Sequence, residues 1–325
     1  MQTVYQLALS ATICTVLLTG GVLSPRVATA ATYYVTTTGS DSNPCSQSRP
    51  CRTIAQGMSV LRAGDTLYIR EGTYAESIGS SAPVPSGTSW SQAVTIAGYP
   101  GETVILNGYH AGISLNDGTR VSYVIFDNLI IDASGGNGGF FIGCDSHHIR
   151  FINGEIKNSP DGFLVFGCGA NVEVLDSKIH GAFYYGFYWF GRDSIFDGNE
   201  VYDNGGYAYH IYNTGANNVS NNIIRNNIIH GNGFNGGNGA GGVILSSGSN
   251  NRVYNNIVYG NYSGIDVDYT HGGTNNQVSN NTIYSNTSSG IHIGAGALNT
   301  IVENNTVYQN GIDIIDDGDG TRLIR

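Results

Sequence analysis

Histidine and aspartate side chains recur within short apolar segments in the C-terminal part of the chain. The members of this set are His210, Asp266, Asp268, His292 and Asp313. Imidazole and carboxylate groups brought together can act as general acid and base, or as metal ligands. We therefore take His210, Asp266, His292 and Asp313 as candidate catalytic residues.

Asp266 and Asp268 are the closest pair of carboxylates in this set. Two residues along a β-strand span about 6.6 Å. This distance lies near the lower end of the roughly 6.5–9.5 Å that separates the two carboxyl groups of inverting glycosidases. Paired carboxylates also bind Ca²⁺ together with backbone oxygens and water. The pair therefore predicts either a hydrolytic site or a calcium site, and the spacing leaves both open.

Aromatic side chains are concentrated just before these residues. The group comprises Tyr188, Phe190 and Tyr212, with Phe183, Tyr184 and Tyr185 in the preceding turn. Aromatic rings with a polar edge are suited to stacking against sugar rings. We expect Tyr184, Tyr185, Tyr188, Phe190 and Tyr212 to bind a carbohydrate substrate.

An internal repeat positions both groups. Asn-Asn pairs begin at residues 226, 255, 280 and 304, and a further Asn follows each at 232, 261, 286 and 310. After each pair comes a segment of the form Gly-apolar-x-apolar, such as Gly264-Ile265-Asp266-Val267. A unit of 24 to 29 residues is too small to bury its own apolar face, so the units must stack as a solenoid. Equivalent Asn side chains would then form hydrogen bonds along the stack.

The repeat predicts an all-β chain, a right-handed parallel β-helix solenoid of about ten coils within a single domain over residues 31–325. The x positions of successive coils would point outward and form one ladder. In coil order this ladder is Phe141, Leu164, Tyr188, His210, Ile244, Asp266, His292 and Asp313. A second ladder two residues further along contains Phe166, Phe190, Tyr212, Ser246, Asp268 and Gly294. On another face we expect a structural stack of Lys157, His180, Tyr202, His230, Tyr259, Tyr284 and Tyr308.

Composition excludes several other classes of protein. The 325 residues are 40% hydrophobic and 12% charged, with 47 Gly and a net charge of −10. This glycine-rich chain, poor in charge, does not suit a helical bundle or a long disordered segment. With only 2 Lys beside 12 Arg, and a pI near 5.1, we expect no nucleic-acid partner.

The N-terminus predicts export. Residues 1–30 contain an apolar run that ends in Ala28-Thr29-Ala30, as in a secretory signal peptide. A secreted protein, extracellular or periplasmic, would oxidise its cysteines. We expect one disulfide between Cys45 and Cys51, and another between Cys144 and Cys168 on neighbouring coils. After cleavage no membrane segment is expected, and we expect a monomer.

The start of the mature chain resembles that of secreted pectate-lyase-like β-helix proteins. The resemblance rests on Thr32-Tyr33-Tyr34-Val35, Pro50-Cys51-Arg52-Thr53-Ile54 and Gly64-Asp65-Thr66-Leu67-Tyr68-Ile69. It implies an N-terminal cap over about residues 31–75, with an amphipathic capping helix at about Thr53 to Arg62. It also implies a polysaccharide partner, bound along the strand that follows the Asn turn. Lyases, glycosidases, uronan epimerases and adhesins all share this fold.

Three functions follow from the residues and the resemblance. The first is a polysaccharide lyase acting on a uronate glycan by β-elimination, which requires a base and an acid. Because Lys157 and Lys178 lie off the expected cleft, the base would be His210 or His292, with Tyr212 as the acid. The second is a glycoside hydrolase or epimerase that uses paired carboxylates. The third is a non-catalytic glycan-binding or structural protein. Calcium at Asp266 and Asp268 is the one cofactor considered.

Overall fold

The protein is a solenoid of three parallel β-sheets. The structure, a computed structural model, describes residues 29–80, 82–109, 111–115, 120–136, 138–160, 162–213, 219–234, 240–267 and 273–324. Each turn contributes one strand to each sheet, and the nine strands of the third sheet define about nine turns. The predicted parallel solenoid of about ten coils is therefore confirmed, with about nine turns. The expected signal peptide falls almost wholly outside the described residues.

Sheet 1 has twelve strands, sheet 2 has ten and sheet 3 has nine. Sheet 1 comprises β1 (Thr32–Val35), β2 (Thr66–Ile69), β4 (Val94–Gly98), β7 (Ser122–Asp127), β10 (His147–Ile152), β13 (Ala170–Leu175), β16 (Ile195–Asp197), β19 (Ile223–Arg225), β22 (Arg252–Tyr254), β25 (Gln277–Ser279), β28 (Ile301–Glu303) and β31 (Arg322–Ile324). Sheet 2 comprises β3 (Gly72–Tyr74), β5 (Val104–Leu106), β8 (Ile130–Asp132), β11 (Glu155–Lys157), β14 (Lys178–His180), β17 (Glu200–Tyr202), β20 (Ile228–His230), β23 (Ile257–Tyr259), β26 (Thr282–Tyr284) and β29 (Thr306–Tyr308). Sheet 3 comprises β6 (Ile113–Leu115), β9 (Gly138–Ile142), β12 (Phe163–Gly167), β15 (Phe187–Trp189), β18 (Tyr207–Ile211), β21 (Gly241–Leu245), β24 (Ile265–Val267), β27 (Ser289–Ile293) and β30 (Ile312–Asp316).

The capping helix is present but shorter than the sequence predicts. Helix α1 spans Ile54–Ser59, and two single-turn 3₁₀ helices lie at Trp90–Gln92 and Ala133–Gly135. The Thr53 hydroxyl accepts a hydrogen bond from the Gln56 N–H, and the Glu76 carboxylate accepts from the first two helical N–H groups. These contacts satisfy donors that have no partner within the helix. In the described part of the chain, no helix is long and apolar enough to cross a membrane.

The two residues of each Asn-Asn pair have different roles. The first, as at Asn226, has a positive φ of 56°, which Asn tolerates better than most residues. The second, as at Asn227, is buried and bonds along the stack: its Nδ2 donates to Asn256 Oδ1 at 2.9 Å. The same bond joins Asn256 to Asn281. The turns from sheet 2 to sheet 3 carry a second such ladder, which includes Asn232, so the predicted structural role of these residues is confirmed.

Apolar side chains fill the interior of the solenoid. Trp189, Phe187 and Tyr209 are fully buried, and the rings of Phe187 and Tyr209 stack at 4.4 Å. The Tyr209 hydroxyl donates to Asn227 Oδ1 at 3.2 Å, so the core is tied to the Asn ladder. Both predicted disulfides, Cys45–Cys51 and Cys144–Cys168, are present.

Outward from sheet 2 runs a continuous stack of parallel rings. Neighbouring centroids are 4.4 to 5.2 Å apart and the planes lie within 13° of each other. The members are His180, Tyr202, His230, Tyr259, Tyr284 and Tyr308. The predicted stack is therefore confirmed. Lys157, which precedes His180 at the N-terminal end of the stack, forms an ion pair with Glu155 at 3.1 Å.

Candidate functional site

The outward face of sheet 3 aligns four of the predicted site residues, Tyr188, His210, Asp266 and His292, in one column. Strand pairing aligns Tyr188 with His210, His210 with Ile244, Ile244 with Asp266, and Asp266 with His292. The second column contains Phe190, Tyr212 and Ser246, whose backbone N–H groups donate to carbonyls of the preceding turns at 2.7 to 3.0 Å. Its predicted first member, Phe166, lies in the first column instead. The sequence therefore predicted the central part of this face correctly.

Both ends of the first column differ from the prediction. Phe166, and not Leu164, pairs with Phe141 and Tyr188, while Leu164 is fully buried. At the other end His292 pairs with Ile315, so Asp313 does not occupy the next position.

Asp313 lies instead at the end of an Asn ladder. Its Oδ1 accepts from the backbone N–H of Asn310 at 3.1 Å and from Asn310 Nδ2 at 3.0 Å. In earlier turns the corresponding bonds are made to the Asn of the following turn, as between Asn286 and Asn310. The Asp313 carboxylate is thus the acceptor for Asn310, as Asn310 is the acceptor for Asn286. Asp313 is not the strand partner of His292.

His210 lies inside a cage of four tyrosine rings. The ring centroids of Tyr185, Tyr212, Tyr188 and Tyr207 lie 4.8, 5.0, 5.1 and 5.7 Å from the imidazole centroid. His210 Nε2 also lies 3.1 Å from the Ser246 hydroxyl oxygen. This arrangement surrounds one imidazole with phenol rings, and both kinds of side chain can take part in general acid–base catalysis.

Burial keeps part of this cage protonated. It raises the pKa of Tyr185, with smaller contributions from Tyr184 and Tyr212. Burial likewise raises the pKa of Tyr188, with contributions from Tyr212 and Tyr185. At neutral pH both phenols therefore retain their protons and can serve as hydrogen-bond donors. The group in this cage that can accept a proton at neutral pH is the imidazole.

Asp266 is buried and held by two hydroxyls. Only 7% of the residue is exposed, and its Oδ2 accepts from Ser263 Oγ at 2.6 Å and from the Tyr207 hydroxyl at 3.2 Å. Tyr207 reaches Asp266 across the intervening turn, where its strand partner is Gly241. A Cβ on Gly241 would lie 2.2 Å from Ser263 Oγ, so a glycine is required there.

Sequence reasoning missed Tyr207 and Ser263. Alternation along β18 places Tyr207 on the same side as the buried Tyr209, so the pattern gave no sign that its hydroxyl reaches Asp266. Asp266 and Tyr207 are 59 residues apart, and only the stacking of turns brings them together.

The remaining acidic and imidazole groups do not complete a metal site in the described residues. His292 Nε2 lies 3.6 Å from Asp317 Oδ2, in the turn after β30. Asp268, the second member of the predicted carboxylate pair, lies outside the described residues. Among the residues that are described, no group of three His, Cys, Asp or Glu side chains is placed to hold a metal ion.

The predicted aromatic residues form a continuous platform. Tyr188 lies 4.5 Å from Phe190 and 6.0 Å from Tyr212, measured between ring centroids. The half-exposed Tyr184 extends the platform toward the preceding turn. Phe163, which the sequence analysis did not select, joins it by packing 4.7 Å from Tyr188 and 5.7 Å from Tyr185.

Lysine and arginine do not occur on the strands of sheet 3. Arg192, in the turn after β15, is paired with Asp193 at 2.7 Å. As the sequence predicted, Lys157 and Lys178 lie off this strand face, in β11 and β14 of sheet 2.

Two regions of the chain match protein families. Residues 161–325, just over half of the chain, match the family described as "Right handed beta helix region". Residues 37–129 match a family of proteins of unknown function, DUF1565. The uncharacterized protein YwoF of Bacillus subtilis (strain 168) is 37% identical over 75 residues. That match covers 23% of this chain and only 15% of YwoF.

Solved structures of two lyases and a biosidase share the fold. An alginate lyase from Paenibacillus sp. str. FPU-7 superimposes with a TM-score of 0.67 at 16% identity, covering 89% of this chain and 99% of that one. The pectate lyase Pel9A superimposes with a TM-score of 0.57 at 16% identity, covering 90% of this chain and 79% of the lyase. The GH136 lacto-N-biosidase from Eubacterium ramulus superimposes with a TM-score of 0.63 at 11% identity, covering 90% of this chain and 68% of the biosidase. At these identities the likeness shows the fold alone. The family match and the three parallel sheets together show that the chain belongs to the right-handed β-helix family.

Proposed function

We propose that this protein is a secreted polysaccharide lyase that cleaves a uronate glycan by β-elimination, with His210 as the base. The observation that carries the proposal is the tyrosine cage, in which four phenol rings surround one imidazole at 4.8 to 5.7 Å. Lyases and a glycoside hydrolase among the structural neighbours support a glycan substrate. The two disulfides are consistent with secretion.

The reaction needs three groups, and the cage offers a residue for each. His210 takes the C5 proton of the uronate, and the electron pair of that C–H bond forms the C4–C5 double bond. The C4–O4 bond breaks, and Tyr212 donates its proton to the departing oxygen. His210 then returns a proton to Tyr212, whose ring centroid is 5.0 Å away, so the enzyme is restored without water being consumed.

The uronate carboxylate requires stabilisation as charge builds up on it. The strands of sheet 3 contain no lysine or arginine to supply a positive charge. Tyr185 and Tyr188 have raised pKa values because they are buried, and they therefore remain hydrogen-bond donors. Donors fixed in a partly water-excluded site stabilise developing negative charge more strongly than water does. Phe190 and Tyr184 would hold the neighbouring sugar rings.

Product analysis tests the proposal directly. The protein is incubated with a panel of uronans and neutral glycans, with Ca²⁺ or with EDTA, while ultraviolet absorbance of unsaturated ends and release of reducing ends are followed. We expect unsaturated ends from at least one uronan. His210→Gln and Tyr212→Phe should each lower kcat by about 10²–10⁴-fold with retained fold. His180→Gln, which changes a half-buried histidine on sheet 2, should leave kcat unchanged. Wild-type rates in His210→Gln, or no unsaturated product from any uronan, would refute this mechanism.

A hydrolase is the second candidate, because the Asp266 carboxylate is buried, receives two hydroxyl hydrogen bonds and lies beside His292 in the strand pairing. It would release reducing ends without unsaturation, and Asp266→Asn would abolish that release. Sensitivity to EDTA that Ca²⁺ reverses would support calcium at Asp266 and Asp268. Binding without either product would support a non-catalytic glycan-binding protein.

N-terminal sequencing of secreted protein should give Ala31 as the first residue.

A further inference from the structure

A trench with two glycines in its floor lies beside the aromatic platform, at the corner between sheet 2 and sheet 3. Backbone hydrogen bonds fix the alignment of three successive turns here. The Phe183 N–H donates to the Ser159 carbonyl at 2.8 Å, the Gly205 N–H to Ala182 at 2.9 Å and the Gly233 N–H to Asn204 at 2.9 Å. Phe183, Gly205 and Gly233 therefore follow one another along the solenoid, so a phenyl ring is succeeded by two positions that carry no side chain.

The trench has the dimensions of a small-ligand site. Its volume is about 440 Å³, and Phe183 and Phe234 line it with 47% and 59% of their surfaces exposed. Two turns of a parallel solenoid advance by about 10 Å. A ring in van der Waals contact with Phe183 needs a centre-to-centre separation of only about 4 Å. The gap left by the two glycines is therefore long enough for one ring beside Phe183.

We infer that this trench binds a neutral sugar residue. Sugar rings present C–H faces that pack on exposed aromatic rings, which otherwise remain unfavourably in water. Asp203 lines the trench and is the one charged residue among those that line it. Its carboxylate accepts hydrogen bonds from sugar hydroxyls and repels a uronate, because none of the described lining residues carries a positive charge. The ligand class is thus uncharged, in contrast to the ligand proposed for the His210 cage.

The trench is continuous with the platform. The Phe183 ring packs edge-on against Tyr184 at 4.8 Å, and Tyr184 lies 6.0 Å from Phe163 on the platform. If a polysaccharide lies along the platform, which rests on the proposed function, the trench would hold a neutral branch residue of that same chain. The preferred substrate is then a uronate polysaccharide that bears neutral side sugars.

Direct binding tests this inference without requiring turnover. Methyl glycosides of neutral hexoses and of glucuronic acid are titrated into the protein, and binding is followed by saturation-transfer-difference NMR. We expect millimolar binding of at least one neutral glycoside, weakened at least fivefold in Phe183→Ala and in Phe234→Ala. Tyr308→Ala, which removes a similarly exposed ring on sheet 2, should bind as the wild type does. Asp203→Asn keeps a side chain that tolerates the positive φ of 52° at this position, and should bind the glucuronide more tightly than the wild type.

The outcomes separate the trench from the catalytic proposal. Neutral-sugar binding that is preserved in His210→Gln but lost in Phe234→Ala supports the trench, whether or not any glycan is cleaved. Absence of binding by every neutral glycoside would overturn the inference. So would unchanged affinity in both phenylalanine variants, or a loss of binding confined to the platform variant Tyr188→Ala.

Discussion

The buried Asn ladder makes a quantitative prediction for the variant Asn227→Ala. Asn227 Oδ1 accepts from the backbone N–H of Asn199 at 2.8 Å and from the Tyr209 hydroxyl at 3.2 Å, and its Nδ2 donates to the Phe196 carbonyl at 3.0 Å. Removing the amide leaves the Asn199 N–H and the Tyr209 hydroxyl buried without these acceptors. Each such loss costs about 1–3 kcal/mol, so the free energy of unfolding should fall by about 4 kcal/mol.

The matched control is the neighbouring Asn226→Gly. Asn226 is exposed, donates to Asp197 Oδ1 at 2.7 Å and has a φ of 56° that glycine adopts freely. We expect a loss below about 1 kcal/mol, because the groups released are open to water. Thermal unfolding should give a melting temperature lower by roughly 6 °C for Asn227→Ala and nearly unchanged for the control.

Hydrogen exchange localises the effect. The Asn199 amide should exchange faster in Asn227→Ala, because its acceptor is gone, while amides several turns away should keep their protection. The reasoning fails if Asn226→Gly costs as much stability as Asn227→Ala, or if Asn227→Ala melts with the wild type.

Three further predictions concern pH, the disulfide and a glycine. Burial lowers the pKa of His147 from its ordinary value of 6.5, helped by positive charge from a neighbouring histidine and arginine. The unfolded chain therefore binds the proton first, and stability should fall as pH drops below about 6.5. Melting curves between pH 7.5 and 5 should show a smaller fall in His147→Gln. Replacing both Cys144 and Cys168 by Ser should lower the free energy of unfolding, measured with denaturant, by about 3 kcal/mol. In the presence of a reductant the variant and the wild type should have the same free energy of unfolding. In the same assay Gly264→Ala should lower the free energy of unfolding by about 2–3 kcal/mol, because the added Cβ would lie 2.2 Å from the Gly290 carbonyl oxygen. If the variant were as stable as the wild type, neighbouring turns could move apart at little cost, and this reasoning would be wrong.

Errors in the predicted site came from register. At Leu164 and at Asp313 the predicted ladder was displaced by two residues, since Phe166 and Ile315 occupy those positions. Regular alternation would keep a side chain on the same face after a shift of two. Leu164 and its neighbour Val165 are both fully buried, however, so alternation is interrupted at the start of this strand. Periodicity alone therefore gives neither the register nor the direction of Leu164.

The sequence alone determined the parallel solenoid, both disulfides and the outward column from Tyr188 to His292. These features depend on a repeat whose period reflects local backbone geometry, and on the rule that equivalent positions stack. Only the tertiary structure decided that the Asp266 carboxylate meets the Tyr207 hydroxyl, and that Gly205 and Gly233 open a trench beside Phe183. Such contacts join different turns, so they depend on the length and path of the intervening chain. Those quantities vary from one turn to the next, and no single repeat encodes them.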